Sequence, residues 1–239
     1  VTTTFNQITF DVDHEFSDRL RGNVFADRNH LELLDVASDI GLLGIELHSR
    51  RRNRLNGRVS RCQPERLDIR VEQSFGNCPR YIQPRQLEPR PAAVDTGQPA
   101  ERRERLDARA AAMIGAADTC FVASYVVQAD GRPAVDVSHR GGPAGFVRVA
   151  GNRLSIPDFA GNLHFNTLGN LLLNPRAGLL FIDFASGTLL QLSGRTELTL
   201  EGEALRAFPD AERLWHLDVE QLVRRPAALA LRWRLPETP

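Results

Sequence analysis

Between residues 120 and 193 the chain breaks into short β-prone runs separated by turn residues, and this spacing leaves few folds open. Residues 120–127 precede a turn at Asp130-Gly131, and 134–137 alternate. Residues 146–149 and 154–156 flank Gly151-Asn152, and 178–184 with 188–193 form a further hairpin. Residues 165–173 suit a short helix that ends before Asn174-Pro175. Short, regularly spaced strands with a few short helices predict a mainly β (α+β) chain, built as a β barrel with helical additions.

A second regularity appears when the chain is laid on itself with an offset of 137. Gly41, Leu42, Leu43 and Ile45 fall on Gly178, Leu179, Leu180 and Ile182. Ser49, Leu55, Gly57 and Arg58 fall on Ser186, Leu192, Gly194 and Arg195. Eight identities in nineteen positions read as a duplication, with two similar β domains. Residue 138 maps onto residue 1, so the strands before 138 lack a counterpart in the first half. The expectation is an incomplete N-terminal copy over 1–83, with sequence missing before Val1. A linker with prolines at 84, 89, 91 and 99 follows over 84–100, and the second copy spans 101–239. The Arg, Glu, Leu and Ala content of 101–116 predicts a helix. In the first half, 7–13, 42–47 and 67–71 read as strands and 30–37 as helix.

Thirty basic and thirty acidic residues cancel, which favours neither nucleic acid nor a membrane surface as partner. Apolar runs such as 179–182 are too short to span a bilayer. Cys62, Cys78 and Cys120 are an odd set without CxxC spacing, which argues against a disulfide scaffold and a zinc site. With no charged-then-apolar leader, the expectation is a cytoplasmic protein with reduced thiols, of which Cys78 is the one to test for reactivity.

All thirty basic residues are arginine. Without lysine there is no Walker A phosphate loop and no Schiff base to pyridoxal phosphate. Any phosphate must be held by arginine, hydroxyls, amides or backbone N–H groups. GxGxxG, HExxH and GxSxG are absent, and the histidines at 14, 30, 48, 139, 164 and 216 show no metal spacing, so no metal is expected.

Two segments carry chemical potential. Over 136–146 a strand runs through Val137, Ser138, His139 and Arg140 into Gly141-Gly142-Pro143-Ala144-Gly145. There glycines allow backbone approach to an anion and Arg140 supplies a cationic fork; a polar hairpin loop is the plainer account. Over 156–170 a strand end (Ile156, Pro157, Asp158) leads into a helix. Asn162 and Asn166, four apart, would share a face at a helix start suited to phosphate, or serve as simple caps.

Together these segments, with Asn174-Pro175-Arg176-Ala177-Gly178-Leu179-Leu180-Phe181 and Leu192-Ser193-Gly194-Arg195, resemble flavin-nucleotide-binding proteins of the pyridoxamine 5′-phosphate oxidase-like group. The stretch Gln73-Ser74-Phe75-Gly76-Asn77-Cys78-Pro79-Arg80-Tyr81-Ile82 is similar to larger, two-part members. The resemblance covers residues 5–234 and is most specific over 118–196. It implies an FMN-binding split β-barrel with the cofactor at a subunit interface, hence a homodimer. On the matched positions Val137, Ser138, His139 and Arg140 would lie by the flavin or its phosphate. Ile156, Pro157 and Asp158 would follow the ring and ribityl chain, and Asn162 and Asn166 would reach toward the phosphate.

The chain departs from the true B6 oxidase in two ways. That enzyme carries lysines at its phosphates, and an Arg-Leu-His stretch near its C-terminus; here Arg232-Trp233-Arg234-Leu235-Pro236 stands instead. The reading that follows is an FMN-dependent oxidoreductase whose substrate is not pyridoxamine phosphate, with His139 as the best candidate for proton handling. The alternative is a non-catalytic module that binds, carries or senses flavin or another planar cofactor such as haem.

Overall fold

The longest strand, β14 (Ala211–Arg225), organises the C-terminal half. Along one edge it pairs first with β11 (Arg153–Phe159) and then with β7 (Glu101–Arg103); along the other it follows β13 (Thr188–Thr199). From there the antiparallel order runs through β12 (Arg176–Asp183) and β8 (Thr119–Val127) to β9 (Pro133–Gly141), while β10 (Arg148–Ala150) flanks β11. Alternate residues of β14, among them Trp215, Leu217, Val219 and Leu222, turn into one core with Val122, Leu179, Phe181, Leu190 and Leu192. Two helices close this barrel, α1 (Ala108–Ala116) through Ala110 and Ile114, and α2 (Asn166–Leu173) through Leu168 and Leu171. Strands β9 and β11 form no ladder with each other, so the barrel is split along that seam. There Arg140 of β9 donates to Asp158 of β11.

The computed structural model describes residues 5–12, 20–27, 36–63, 66–76, 78–89, 99–161, 164–229 and 231–236. In the N-terminal half β1 (Phe5–Val12) and β2 (Leu20–Asp27) form a hairpin. Strands β3 (Asp39–Glu46), β4 (Arg51–Gln63) and β5 (Arg66–Gly76) form a three-stranded antiparallel sheet. In its first hairpin Asp39 faces Arg58 and Ile40 faces Gly57; in the barrel Arg176 faces Arg195 and Ala177 faces Gly194. Each third strand then bulges against its middle strand, with Glu72 extra opposite Asn56 and Gly57 and Glu220 extra opposite Ser193 and Gly194. The two hairpins thus coincide in register and bulge at the offset seen in the sequence.

The sheet lies on edge strand β9, where Gly41 lets backbones approach: a Cβ there would sit 3.4 Å from the Val137 amide nitrogen. Ion pairs cross between the halves at Arg54–Asp136 (3.0 Å) and Arg132–Asp39 (2.8 Å). Tyr81 donates to the Ala160 carbonyl at 2.9 Å, and Arg85 pairs with Asp118 at 2.5 Å.

Several expectations change. The helix expected over 101–116 is a strand at 101–103 and a helix only from Ala108, because β7 completes the β14 edge and Asp107 caps the helix by accepting from the Ala110 amide at 2.8 Å. Within the proline-rich linker, β6 (Gln86–Pro89) pairs with β15 (Leu231–Arg234), so part of it is sheet. Strand β10 begins at Arg148 rather than at 146, since Phe146 and Val147 sit buried in the core. The helix expected over 30–37 lies largely outside the described residues, and 36–37 form a turn. Strands β2, β4 and β14 were not anticipated.

The shared bulge yields a stability test. A Cβ on Gly194 would come 1.9 Å from the Asp218 carbonyl oxygen, and one on Gly57 would come 2.3 Å from that of Arg70. Backbone cannot yield cheaply, so Gly194→Ala and Gly57→Ala each destabilise by about 1–3 kcal/mol. Gly169, inside α2, has open space for a Cβ. Gly169→Ala therefore stabilises by about 0.5–1 kcal/mol. Urea unfolding of the three variants checks the opposite signs.

Candidate functional site

The two faces of β9 do different work. Asp136, Ser138 and Arg140 face inward beside Ser124, Val122 and Cys120 of β8, while Val135, Val137 and His139 alternate outward toward the N-terminal sheet. Beside β9 runs a cleft of about 430 Å³ lined by Ile40, Gly41, Ala123, Val135, Val137 and Gly178, with Asp39, Asp136 and Arg176 also on its wall. It is largely apolar, with glycine backbone on part of its wall.

Beyond the cleft β9 meets a group of arginines through residues of both its faces. From β4, Arg52 donates through Nη1 to His139 Nδ1 at 2.9 Å, and Arg54 donates through Nη1 to both Asp136 oxygens at 3.0 and 3.2 Å. At the seam, Arg140 and Arg213 share Asp158. Four guanidinium groups thus meet three carboxylates, since Arg213 also pairs with Glu212 at 2.9 Å. Burial, then Arg54 and Arg140, lower the pKa of Arg52 to about 10. Burial also lowers that of Arg54, partly offset by Asp136.

Four buried nitrogens in this group lack a hydrogen-bond partner among the described residues: Nε of Arg52, Arg54 and Arg140, and Nε2 of His139. A guanidinium has no acceptor lone pair, so His139 Nδ1 must accept the Arg52 bond and its proton must reside on Nε2. All four orphans are therefore donors. What would satisfy them is an acceptor, and the surplus of positive charge selects an anionic one.

The sequence-predicted residues distribute unevenly. Val137 lines the cleft, and His139 and Arg140 belong to the arginine group. Ser138 is fully buried, its hydroxyl 2.9 Å from that of Thr167 in α2. Ile156 points into the barrel core. Pro157 is buried on a stretch of β11 without a β10 partner, where its missing N–H costs nothing. Asp158 is buried as the acceptor of Arg140 and Arg213. Asn166 opens α2, and Asn162 lies outside the described residues.

Sequence reading missed Arg52 and Arg54. Their signal is the run Arg50-Arg51-Arg52-Asn53-Arg54, in which positions two apart share a strand face. Cys120 is buried and its thiol is pushed up to about 12 by desolvation, while Cys78 is exposed. A larger cavity of about 630 Å³ includes Arg85, Phe184, Arg224 and Trp233. Its arginines are already matched, Arg85 with Asp118 and Arg224 with Glu101 and Asp107. Among the described residues no cluster of His, Cys, Asp or Glu could hold a metal, and no helix is long and apolar enough to cross a membrane.

Desolvation lowers the His139 pKa to about 3, helped by the arginines at 52, 140, 85 and 54. At neutral pH its chemistry is donation from Nε2, not proton exchange. The folded imidazole thus holds fewer protons than the unfolded one between pH 6.5 and about 3, so stability is lost as pH falls through that window. The urea midpoint should drop from pH 7 to pH 4, and His139→Gln should flatten that drop. An equal drop in the variant would mean that His139 does not carry the effect.

A family model described as pyridoxamine 5′-phosphate oxidase matches residues 106–234, more than half of the chain. No curated protein matches it. Among solved structures, Group A Streptococcus HupZ is 18% identical over 48% of this chain and 90% of its own, with a TM-score of 0.36. A candidate pyridoxamine 5′-phosphate oxidase of Lactobacillus delbrueckii is 19% identical over 50% and 94%, with a TM-score of 0.37. A pyridoxamine 5′-phosphate oxidase-related, FMN binding protein of Nostoc punctiforme is 11% identical over 51% and 87%, with a TM-score of 0.28. With the family match spanning the split barrel from helix α1 onward, this chain belongs to the pyridoxamine 5′-phosphate oxidase-like family.

Proposed function

We propose that this protein binds FMN and works as an FMN-dependent oxidoreductase. One observation carries the reading: an apolar cleft and a set of orphaned donors with surplus positive charge lie along β9 in a barrel of this family. A flat apolar ring system suits the cleft beside Val135 and Val137, and a phosphate suits the arginine group. Bound FMN would supply the capacity to accept and return a hydride at its ring. The chain's own residues would seat the ring, donate from His139 Nε2 and from guanidinium N–H groups to acceptor atoms, and keep water from the seam. Arg140, held by Asp158, keeps Nε free for such a contact.

A second reading, a flavin carrier or sensor without turnover, draws support from His139. Held neutral, it offers no proton exchange near pH 7. Pyridoxamine phosphate is not the substrate in either reading, given the missing lysines and the missing Arg-Leu-His. The homodimer implied by the resemblance and a cytoplasmic location complete the proposal; light scattering should give twice 26.6 kDa.

Titrating apoprotein with FMN should quench flavin fluorescence at micromolar protein, and the absence of quenching would end the flavin reading. Anaerobic addition of NADH or NADPH should bleach the bound flavin, with colour returning in air, if the protein turns over. Binding without bleaching by either donor identifies the carrier. Pyridoxamine phosphate should bleach neither.

A further inference from the structure

We infer that the larger cavity, at the end of the barrel where β8 begins, is a binding site for a small aromatic carboxylate, separate from the cleft beside β9. The inference goes beyond the flavin reading and does not depend on it.

The first argument is the space and its wall. The cavity of about 630 Å³ lies within the range of about 300–1,000 Å³ that small ligands occupy. Arg109, Met113 and Ala116 stand at positions i, i+4 and i+7, so one face of α1 borders it. The β12–β13 turn contributes Ile182 and Phe184, and β15 adds Trp233. Phe184 and Trp233 meet edge to face at 5.6 Å, and the Trp233 amide donates to the Phe184 carbonyl at 3.0 Å. The turn itself is fixed. Asp183 accepts from the Ala185 and Ser186 amides at 3.0 and 3.2 Å, and a Cβ on Gly187 would come 2.6 Å from the Leu229 carbonyl oxygen. An aromatic wall held in this way is in place before a ligand arrives, which lowers the cost of binding a flat apolar body.

The second argument is charge. Around the first turn of α1, Arg103, Arg109 and Arg224 share two carboxylates, Glu101 and Asp107. Arg224 takes the short contacts, 2.6 Å to Glu101 and 2.5 Å to Asp107, and Arg103 reaches Asp107 at 3.3 Å. Arg109 is left 3.6 Å from Glu101, with no acceptor in hydrogen-bond range among the described residues. One positive charge is thus in surplus at that end of the cavity. The carboxylates on the wall offer nothing to a cation, since Arg85 binds both oxygens of Asp118 and the turn occupies Asp183. A single negative charge on a ring body fits this arrangement. A phosphate dianion does not, with one loosely held guanidinium to receive it.

The third argument is location. On β8 the cavity touches Thr119 and the cleft Ala123; on β12 it touches Ile182 and the cleft Gly178. Four residues of strand separate the two spaces, roughly 13 Å. Hydride transfer needs reacting atoms about 3–3.5 Å apart. A molecule in the cavity therefore binds alongside an occupant of the cleft and does not react with it.

The test uses the full chain and three probes that share one ring system: naphthoate, the neutral naphthylmethanol and the cationic naphthylmethylammonium. In calorimetric titrations naphthoate should bind about tenfold more tightly than the alcohol, and the cation more weakly than either. Arg109→Ala should reduce naphthoate to the affinity of the alcohol and leave the alcohol unchanged. The Arg109 side chain is 72% exposed, so this variant should melt with the parent. Ala116→Trp, which adds bulk to the cavity from an exposed helix position, should abolish binding of all three probes. Saturating riboflavin should not displace naphthoate. No binding of naphthoate to the parent at millimolar concentration overturns the inference, as does equal affinity for naphthoate and the alcohol. Binding that survives Ala116→Trp, a preference that survives Arg109→Ala, or displacement by riboflavin also overturns it, because each places the probe elsewhere. Failure of riboflavin and FMN to bind ends the flavin reading and leaves the naphthoate result as it stands.

Discussion

The buried ion pair between Arg54 and Asp136 holds this molecule in its observed form. Both side chains are almost completely enclosed, on strands from opposite halves of the chain. Breaking such a pair from one side leaves an uncompensated charge and costs about 3–5 kcal/mol. It fixes β4 against edge strand β9, and β9 carries most of what makes the site. The same carboxylate is within 3.4 Å of Thr167 Oγ1, whose hydroxyl lies against Ser138. One chain of polar contacts thus runs from the N-terminal sheet through the barrel wall to the start of α2. Covering β9 also removes an open sheet edge, which a barrel split along one seam would otherwise expose.

The parts of the fold legible in the sequence were those in which local chemistry and tertiary context agree. Strand β8, helix α2 and the β12–β13 hairpin were readable because turn residues bound them and their apolar residues face one core. The offset of 137 located a hairpin pair whose registers coincide in the structure, because glycines at the shared bulge cannot vary without a clash with backbone. Strand β14 escaped because its apolar alternation is interrupted by Glu, Asp, Gln and Arg where it changes partners from β11 to β7. Residues 101–103 misled because helix-favouring composition is a weak prior, and an unpaired edge of β14 overrides it.

The site was half legible for a related reason. Glycines after Arg140 pointed to a special backbone, and the β9 segment does carry His139 and Arg140 into the arginine group. On β11 the alternation defeats a run-based reading: Ile156 turns into the core while Asp158, two residues on, reaches the seam. Arg52 and Arg54 lie more than eighty residues before His139 in the chain, and nothing in a single sequence pairs them with it. Long-range contacts of this kind depend on docking, which periodicity does not encode.

The absence of lysine then acquires a physical sense at the site itself. Burial and the neighbouring Arg54 and Arg140 bring Arg52 from 12.5 to about 10, where it stays fully charged at neutral pH. A lysine starts lower, at about 10.4, so the same desolvation and repulsion would bring it closer to titration at working pH. Its charge would then vary with conditions, and so would its attraction for an anion. Guanidinium tolerates such crowding because its charge is delocalised and weakly hydrated, and its planar donors can serve two acceptors at once. Arg54 binds both Asp136 oxygens through Nη1, while its Nε has no partner among the described residues. Four cations, Arg52, Arg54, Arg85 and Arg140, surround one neutral imidazole, and the carboxylates of Asp136, Asp118 and Asp158 hold three of them. The cluster keeps a standing preference for negative charge because none of the four can discharge by losing a proton.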